Sequence, residues 1–120
     1  MMIRLRTTNI YLRRLIKELK RKSKEKRIYG YLAELLSKPR RKRITVNLWK
    51  INKYSNDGDI IFVPGKVLGY GNLNKKVTIV AWKWSESAKE KIERSNSRLI
   101  SLEEFIRQSN EKLQNAKIII

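Results

Sequence analysis

Val77-Thr78-Ile79-Val80-Ala81-Trp82-Lys83-Trp84 is the stretch on which the fold turns. Side chains alternate across a strand, so Val77, Ile79 and Ala81 point one way while Thr78, Val80, Trp82 and Trp84 point the other. Both faces are mainly apolar, as in an interior strand buried on both sides. Downstream, Ser85 is placed to cap a helix whose inward positions are Ala88 and Ile92, with Lys91 or Ser95 beside them. Leu99-Ile100 reads as a short strand. Ser101-Leu102-Glu103-Glu104 has the Ser-x-x-Glu spacing of a capping box and opens a helix through Phe105 and Ile106. Lys117–Ile120 ends the chain as a strand-like apolar tail.

Upstream, Gly69-Tyr70-Gly71-Asn72-Leu73-Asn74 reads as a turn and Val67-Leu68 as a possible strand. Ile60–Val63 is a β-branched and aromatic run that Pro64-Gly65 ends. Asn56-Asp57-Gly58-Asp59 is a turn by composition. Leu48, Ile51 and Tyr54 fit a short helix capped by Asn47, after a short strand Ile44-Thr45-Val46. Further toward the start the period changes to that of a helix. Leu12, Leu15, Ile16 and Leu19 form one stripe, capped by Thr8 or Asn9. Ile28, Leu32, Leu35 and Leu36 form a second, flanked by Tyr29 and Tyr31, and Pro39 ends it near Ser37. The expected organisation is a basic helical hairpin and loop over 1–43, then a small α/β domain over 44–120.

Charge divides the chain in the same way. Met1–Tyr54 holds 18 basic and three acidic residues, net +15, whereas Ser55–Ile120 holds 11 and eight, net +3. So concentrated a field repels itself unless a polyanion is present, and nucleic acid is the commonest one. The chain has no cysteine and no histidine, which excludes disulfides, thiolate metal sites and histidine acid–base catalysis. Gly65-Lys66 and Gly69-x-Gly71 fail the spacing of nucleotide-binding loops. Asp57 with Asp59, and Glu103 with Glu104, lack a partner base or a metal-ligand pattern. No catalytic residue, metal, cofactor, small-molecule substrate or membrane span is expected, and with no signal-peptide pattern at Met1–Arg6 the chain is expected to be intracellular.

Phosphate contact is expected from Arg4, Arg6, Arg13, Arg14, Lys17, Lys20 and Arg21, and from the basic run Lys38-Pro39-Arg40-Arg41-Lys42-Arg43. Lys50, Lys53, Lys66, Lys75 and Lys76 continue the set. Asn9, Asn47, Asn52, Asn72 and Asn74 can bond to 2′-hydroxyls or phosphates. Trp49, lying between basic segments, is a candidate for stacking on a base. Composition leaves RNA and DNA both open, a chromatin-type DNA-binding protein being the second reading and a nuclease using Asp57 and Asp59 a third.

Lys38-Pro39-Arg40-Arg41, Val46-Asn47, Asn52-Lys53-Tyr54, Val63-Pro64-Gly65-Lys66-Val67-Leu68-Gly69-x-Gly71 and Lys76-Val77-Thr78-x-x-Ala81 occur in the order and spacing of one family. In them the chain resembles the archaeal and eukaryotic large-subunit ribosomal protein eighteen family, whose bacterial relative in fold is large-subunit protein fifteen. Thr8-Asn9, Ser85-x-x-Ala88 and Ser101–Glu104 extend the likeness, and the short length looks archaeal. The chain departs from the family at Ile10, where proline is common, and in lacking an Asn-Pro-Glu-Gly turn near its end. The resemblance implies a small three-layer α/β unit with irregular β-β-α turns after a basic helical segment. It also implies a non-catalytic cytoplasmic ribosomal component whose partners are large-subunit ribosomal RNA and neighbouring ribosomal proteins. Asn47, Lys66 and Lys38–Arg43 inherit RNA contacts by that likeness, and Gly65, Gly69 and Gly71 would allow close backbone approach to RNA or tight turns.

Overall fold

The computed structural model describes residues 10–38, 43–108 and 116–120. Its internal contacts divide into two units, Met1–Arg43 and Ile44–Ile120.

The first unit is a pair of helices, α1 (Ile10–Lys22) and α2 (Arg27–Leu36), packed on each other. Leu12, Leu15 and Leu19 are the buried stripe of α1, as their spacing requires. In α2 the stripe is wider than expected: Tyr29 and Ala33 are buried with Leu32, Leu35 and Leu36, while Ile28 is only half-buried. The Ser37 N–H donates to the Ala33 and Glu34 carbonyls, closing the last turn before Pro39. The caps read at Thr8 and Asn9 lie outside the described residues.

The second unit is a five-stranded sheet with every pairing parallel. Its elements run β1 (Ile44–Asn47), α3 (Leu48–Tyr54), β2 (Ile60–Leu68), β3 (Thr78–Trp84), α4 (Glu86–Arg94), β4 (Arg98–Ser101), α5 (Leu102–Arg107) and β5 (Ala116–Ile118). The strand order is β1-β2-β3-β4, and β5 also pairs with β2. One edge of β2 therefore meets β3, while the other is shared end to end by β5, opposite 60–62, and β1, opposite 65–68.

Pro64-Gly65 does not end a strand, as expected from composition; β2 runs through it. The physical reason is a register shift. Val63 pairs with Ala81 but Lys66 pairs with Lys83, so β2 holds one extra residue at the point where its outer partner changes from β5 to β1. A bulge at a partner change is where a residue without an N–H is tolerated. Gly65 is required there for a second reason. A Cβ on it would stand 2.1 Å from the Ile44 carbonyl oxygen, so a side chain would push β1 out of register.

The same irregularity corrects the reading of Trp84. It packs against the cluster containing Ile79 and Ala81, not on the side of Val80. Ala81 and Trp84 are an odd number of residues apart, and the shift beside Pro64-Gly65 accommodates that break in alternation. Trp82 is half-buried, with the Lys83 ammonium 4.6 Å from its ring centroid.

One sheet face is covered by Leu48 and Ile51 of α3 and by Ala88 and Ile92 of α4, which pack on Ile61, Val63, Val67, Ile79 and Ala81. Leu73 and Val77 join this cluster from the connection 69–77. That connection is thus a crossover between parallel strands in which a loop anchored by the buried Leu73 and Val77 replaces the usual helix, giving the irregular β-β-α succession β2-β3-α4. On the opposite face α5 packs against β3 and β4, and Phe105 meets Phe62 edge-on with centroids 5.2 Å apart. Helix, sheet and helix make three layers.

Candidate nucleic-acid interface

In the first unit, burying the leucine stripe of α1 turns Arg13, Arg14, Lys17, Lys20 and Arg21 outward, all exposed. Arg21 pairs with Glu18 one turn earlier. Arg13, Arg14, Lys17 and Lys20 hold no ion pair with another described residue. Lys20, Arg21 and Lys22 also occupy the last turn, where positive charge favours the helix dipole. Lys38 is exposed and Arg43 half-buried. Arg4, Arg6, Asn9, Arg40, Arg41 and Lys42 lie outside the described residues.

In the second unit, α3 and the connection 69–77 lie side by side. Asn47 occupies the N-cap of α3 with extended backbone, yet its side chain makes no capping bond, contrary to expectation. Trp49 is 45% exposed, and its N–H donates to the Tyr70 carbonyl at 3.1 Å. The Asn52 side chain accepts from the Asn74 N–H at 2.9 Å. Lys53 is exposed, its ammonium 5.4 Å from the Tyr54 ring centroid. Asn72, Asn74 and Lys76 are exposed, the Lys76 N–H donating to Asp57 at 2.9 Å. Lys66 is exposed in a row with Thr45 and Lys83, also exposed, across three adjacent strands.

Two of the lysines expected to contact phosphate have partners within the chain. Lys75 donates to the Asn52 carbonyl at 2.6 Å and to the Ser55 carbonyl. Lys50 donates to the Ile120 carbonyl at 2.6 Å. The close approach read at Gly65, Gly69 and Gly71 is likewise made within the chain. Gly71 has φ +99°, and a Cβ there would stand 2.6 Å from Trp49 Cβ; a Cβ on Gly69 would stand 2.2 Å from Ser87 Oγ.

Two residues acquire roles that their types did not announce. Lys91, read as an inward helix position, donates to the Gly69 and Gly71 carbonyls at 2.7 and 2.8 Å. Tyr70, between those glycines, is 75% exposed.

The acidic pairs are structural. Asp59 is buried, 2.8 Å from the Lys117 ammonium, and it accepts the Asn56 N–H at 2.8 Å. Burial pushes its carboxyl upward, but the Lys117 and Asn56 hydrogen bonds and the charges of Lys117 and Lys75 outweigh that and hold it below the ordinary aspartate value. Glu103 and Glu104 lie in the first turn of α5, whose cap Ser101 accepts the Glu104 N–H at 3.1 Å. Among the described residues no group of three acidic or metal-ligating side chains could hold a metal ion, and no helix is long and apolar enough to cross a membrane.

Residues 12–100 match the family model described as ribosomal proteins 50S-L15, 50S-L18e and 60S-L27a. The chain is 49% identical over 116 residues to large ribosomal subunit protein eL18 of Nanoarchaeum equitans, covering 94% of each chain. It is 51% identical over 105 residues to eL18 of Sulfolobus acidocaldarius, covering 88% of this chain and 87% of that one. It is 40% identical over 114 residues to eL18 of Methanothermobacter thermautotrophicus, covering 93% of each.

Proposed function

The chain belongs to the family of ribosomal proteins 50S-L15, 50S-L18e and 60S-L27a, and from that premise we propose that it is a structural constituent of the large ribosomal subunit that binds ribosomal RNA through its basic N-terminal half. The family's members are structural components rather than enzymes.

The observation that carries the RNA-binding reading is the exposed basic face of α1. Arg13, Arg14, Lys17 and Lys20 are displayed by the same periodicity that buries the leucines, and no described carboxylate neutralises them. Each phosphate they meet releases condensed counterions, so binding is entropically driven and weakens steeply with salt. Arginine adds a planar fork that matches phosphate oxygens in pairs. On this reading residues 1–43 are the RNA-binding segment, with the run Lys38–Arg43 extending it, and 44–120 the domain that carries it. Lys66, Lys53, Lys76, Asn47 and Asn72 offer further contacts. Specificity comes from RNA shape and 2′-hydroxyls rather than from base edges in a helical groove.

Sedimentation of a cell lysate through a gradient, before and after a high-salt wash, tests the assignment. Comigration with the large subunit that survives the wash is expected. A chain that runs alone at low salt, or follows DNA, overturns it.

A further inference from the structure

Tyr70 is 75% exposed on a backbone held by three hydrogen bonds from two residues, Trp49 and Lys91. Its own carbonyl accepts the Trp49 N–H at 3.1 Å, and Lys91 grips the carbonyls of Gly69 and Gly71, the residues on either side of it, at 2.7 and 2.8 Å. Gly71 packs so closely on Trp49 that a Cβ would stand 2.6 Å from Trp49 Cβ. A large aromatic left in water adds little to folding, and loops that display one are ordinarily free to move. Here the loop backbone is held by hydrogen bonds, and Trp49, whose backbone N–H meets the Tyr70 carbonyl, is itself 45% exposed.

The surrounding charge selects the class of ligand. Neither α3 (Leu48–Tyr54) nor the connection 69–77 contains an aspartate or glutamate, while both carry lysines. Of these, Lys53 and Lys76 are exposed, and the exposed Asn72 follows Gly71 directly. Two exposed aromatic rings on adjoining, hydrogen-bonded backbone, beside cations and an amide, match what unpaired nucleotides require: a π surface for the base, positive charge for the phosphate, and an amide for a hydroxyl or base edge. We propose that Trp49 and Tyr70 form a stacking site for unpaired bases of ribosomal RNA, separate in mechanism from the electrostatic contact made by α1. The site rests on the reading that the chain binds RNA, and it adds single-stranded segments to the RNA features recognised.

The test compares the full chain with Tyr70→Ala, Tyr70→Phe and Trp49→Ala for binding to large-subunit ribosomal RNA across a series of salt concentrations. Tyr70→Ala leaves the three backbone hydrogen bonds in place, so the variant keeps the fold. Removing the stacked ring weakens binding by about ten-fold, and Tyr70→Phe restores it. Because a ring carries no counterion, the dependence of log affinity on log salt keeps its slope in every variant. Ultraviolet crosslinking of the complex should place nucleotide adducts on Trp49 or Tyr70. Equal affinity of Tyr70→Ala and the unaltered chain, or a lowered salt slope in place of a lowered affinity, overturns the stacking site alone. Failure of the unaltered chain to bind the RNA overturns the functional reading beneath it.

Discussion

Lys117 of β5 sets its ammonium 2.8 Å from the Asp59 carboxylate, fastening the last strand to the turn that leads into β2. Lys117 also donates to the Tyr54 carbonyl at 3.3 Å, so one side chain joins the C-terminal strand to both ends of the α3–β2 connection. The rest of the anchoring is a three-residue ladder on β2, the Ile119 N–H donating to the Phe62 carbonyl at 3.1 Å, and Lys50 on the Ile120 carbonyl.

Acid should loosen this fastening. The Asp59 carboxyl is held below the ordinary aspartate value, so the unfolded chain binds its proton more readily than the folded one. Its contribution is complete above the unfolded value, near about pH 4, and is lost as pH falls through the lower folded value. Asp59→Asn should therefore flatten the acid limb of urea-unfolding stability below about pH 4. Lys117 is 38% exposed, so solvent screens much of the charge attraction. The loss at neutral pH comes mainly from the buried carboxylate's hydrogen bonds and should be about 1–3 kcal/mol. A variant whose acid limb is as steep as that of the unaltered chain would refute the role of Asp59.

Gly65→Ala should be among the most damaging small changes in the chain. The added methyl group meets the Ile44 carbonyl oxygen at 2.1 Å, and that oxygen belongs to backbone that cannot rotate away. Overpacking of this kind costs about 1–3 kcal/mol or more. Thermal unfolding should show the loss, and amide exchange should show it centred on β1. A melting temperature within a degree or so of the unaltered chain would mean that β1 shifts freely.

Lys91→Met keeps the aliphatic stem of the lysine and removes both hydrogen bonds to the glycine carbonyls. Charge-assisted bonds to carbonyls are each worth about 1.5–3 kcal/mol, and partial exposure of Lys91 places their sum toward the lower end. Amide exchange around Tyr70 and Gly71 should accelerate while β3 stays protected. Uniform acceleration across the sheet would instead make Lys91 a global support.

Replacing Arg13, Arg14, Lys17 and Lys20 by glutamine keeps helix propensity and the leucine stripe. The chain should fold with unchanged circular dichroism. Its log–log salt slope for ribosomal RNA should fall by about 0.7–0.9 for each phosphate that the variant no longer neutralises. An unchanged slope would remove α1 from the interface.

Element type was legible in the sequence because it follows from spacing that neighbours along the chain supply. The leucines of α1, the end of α2 at Leu36 before Pro39, the caps at Ser85 and Ser101, and the doubly apolar strand β3 all follow from local periodicity and capping chemistry. The concentration of positive charge on residues 1–54 is equally a property of sequence, and it sufficed to direct attention to a polyanion.

Tertiary structure decided the rest, because it depends on which distant residues meet. Pro64-Gly65 looks like a strand end until β5 and β1 are seen to divide one edge of β2 at that point. Whether a lysine faces solvent or a carbonyl is equally invisible in composition: Lys50, Lys75 and Lys91 bind backbone oxygens 20 to 70 positions away, while Lys53 and Lys66 stay exposed. Gly71 and Tyr70 take their meaning from Trp49, more than 20 residues earlier in the chain. Local spacing dictates which face of an element is apolar; only the closing of the chain on itself determines which polar groups remain for a partner.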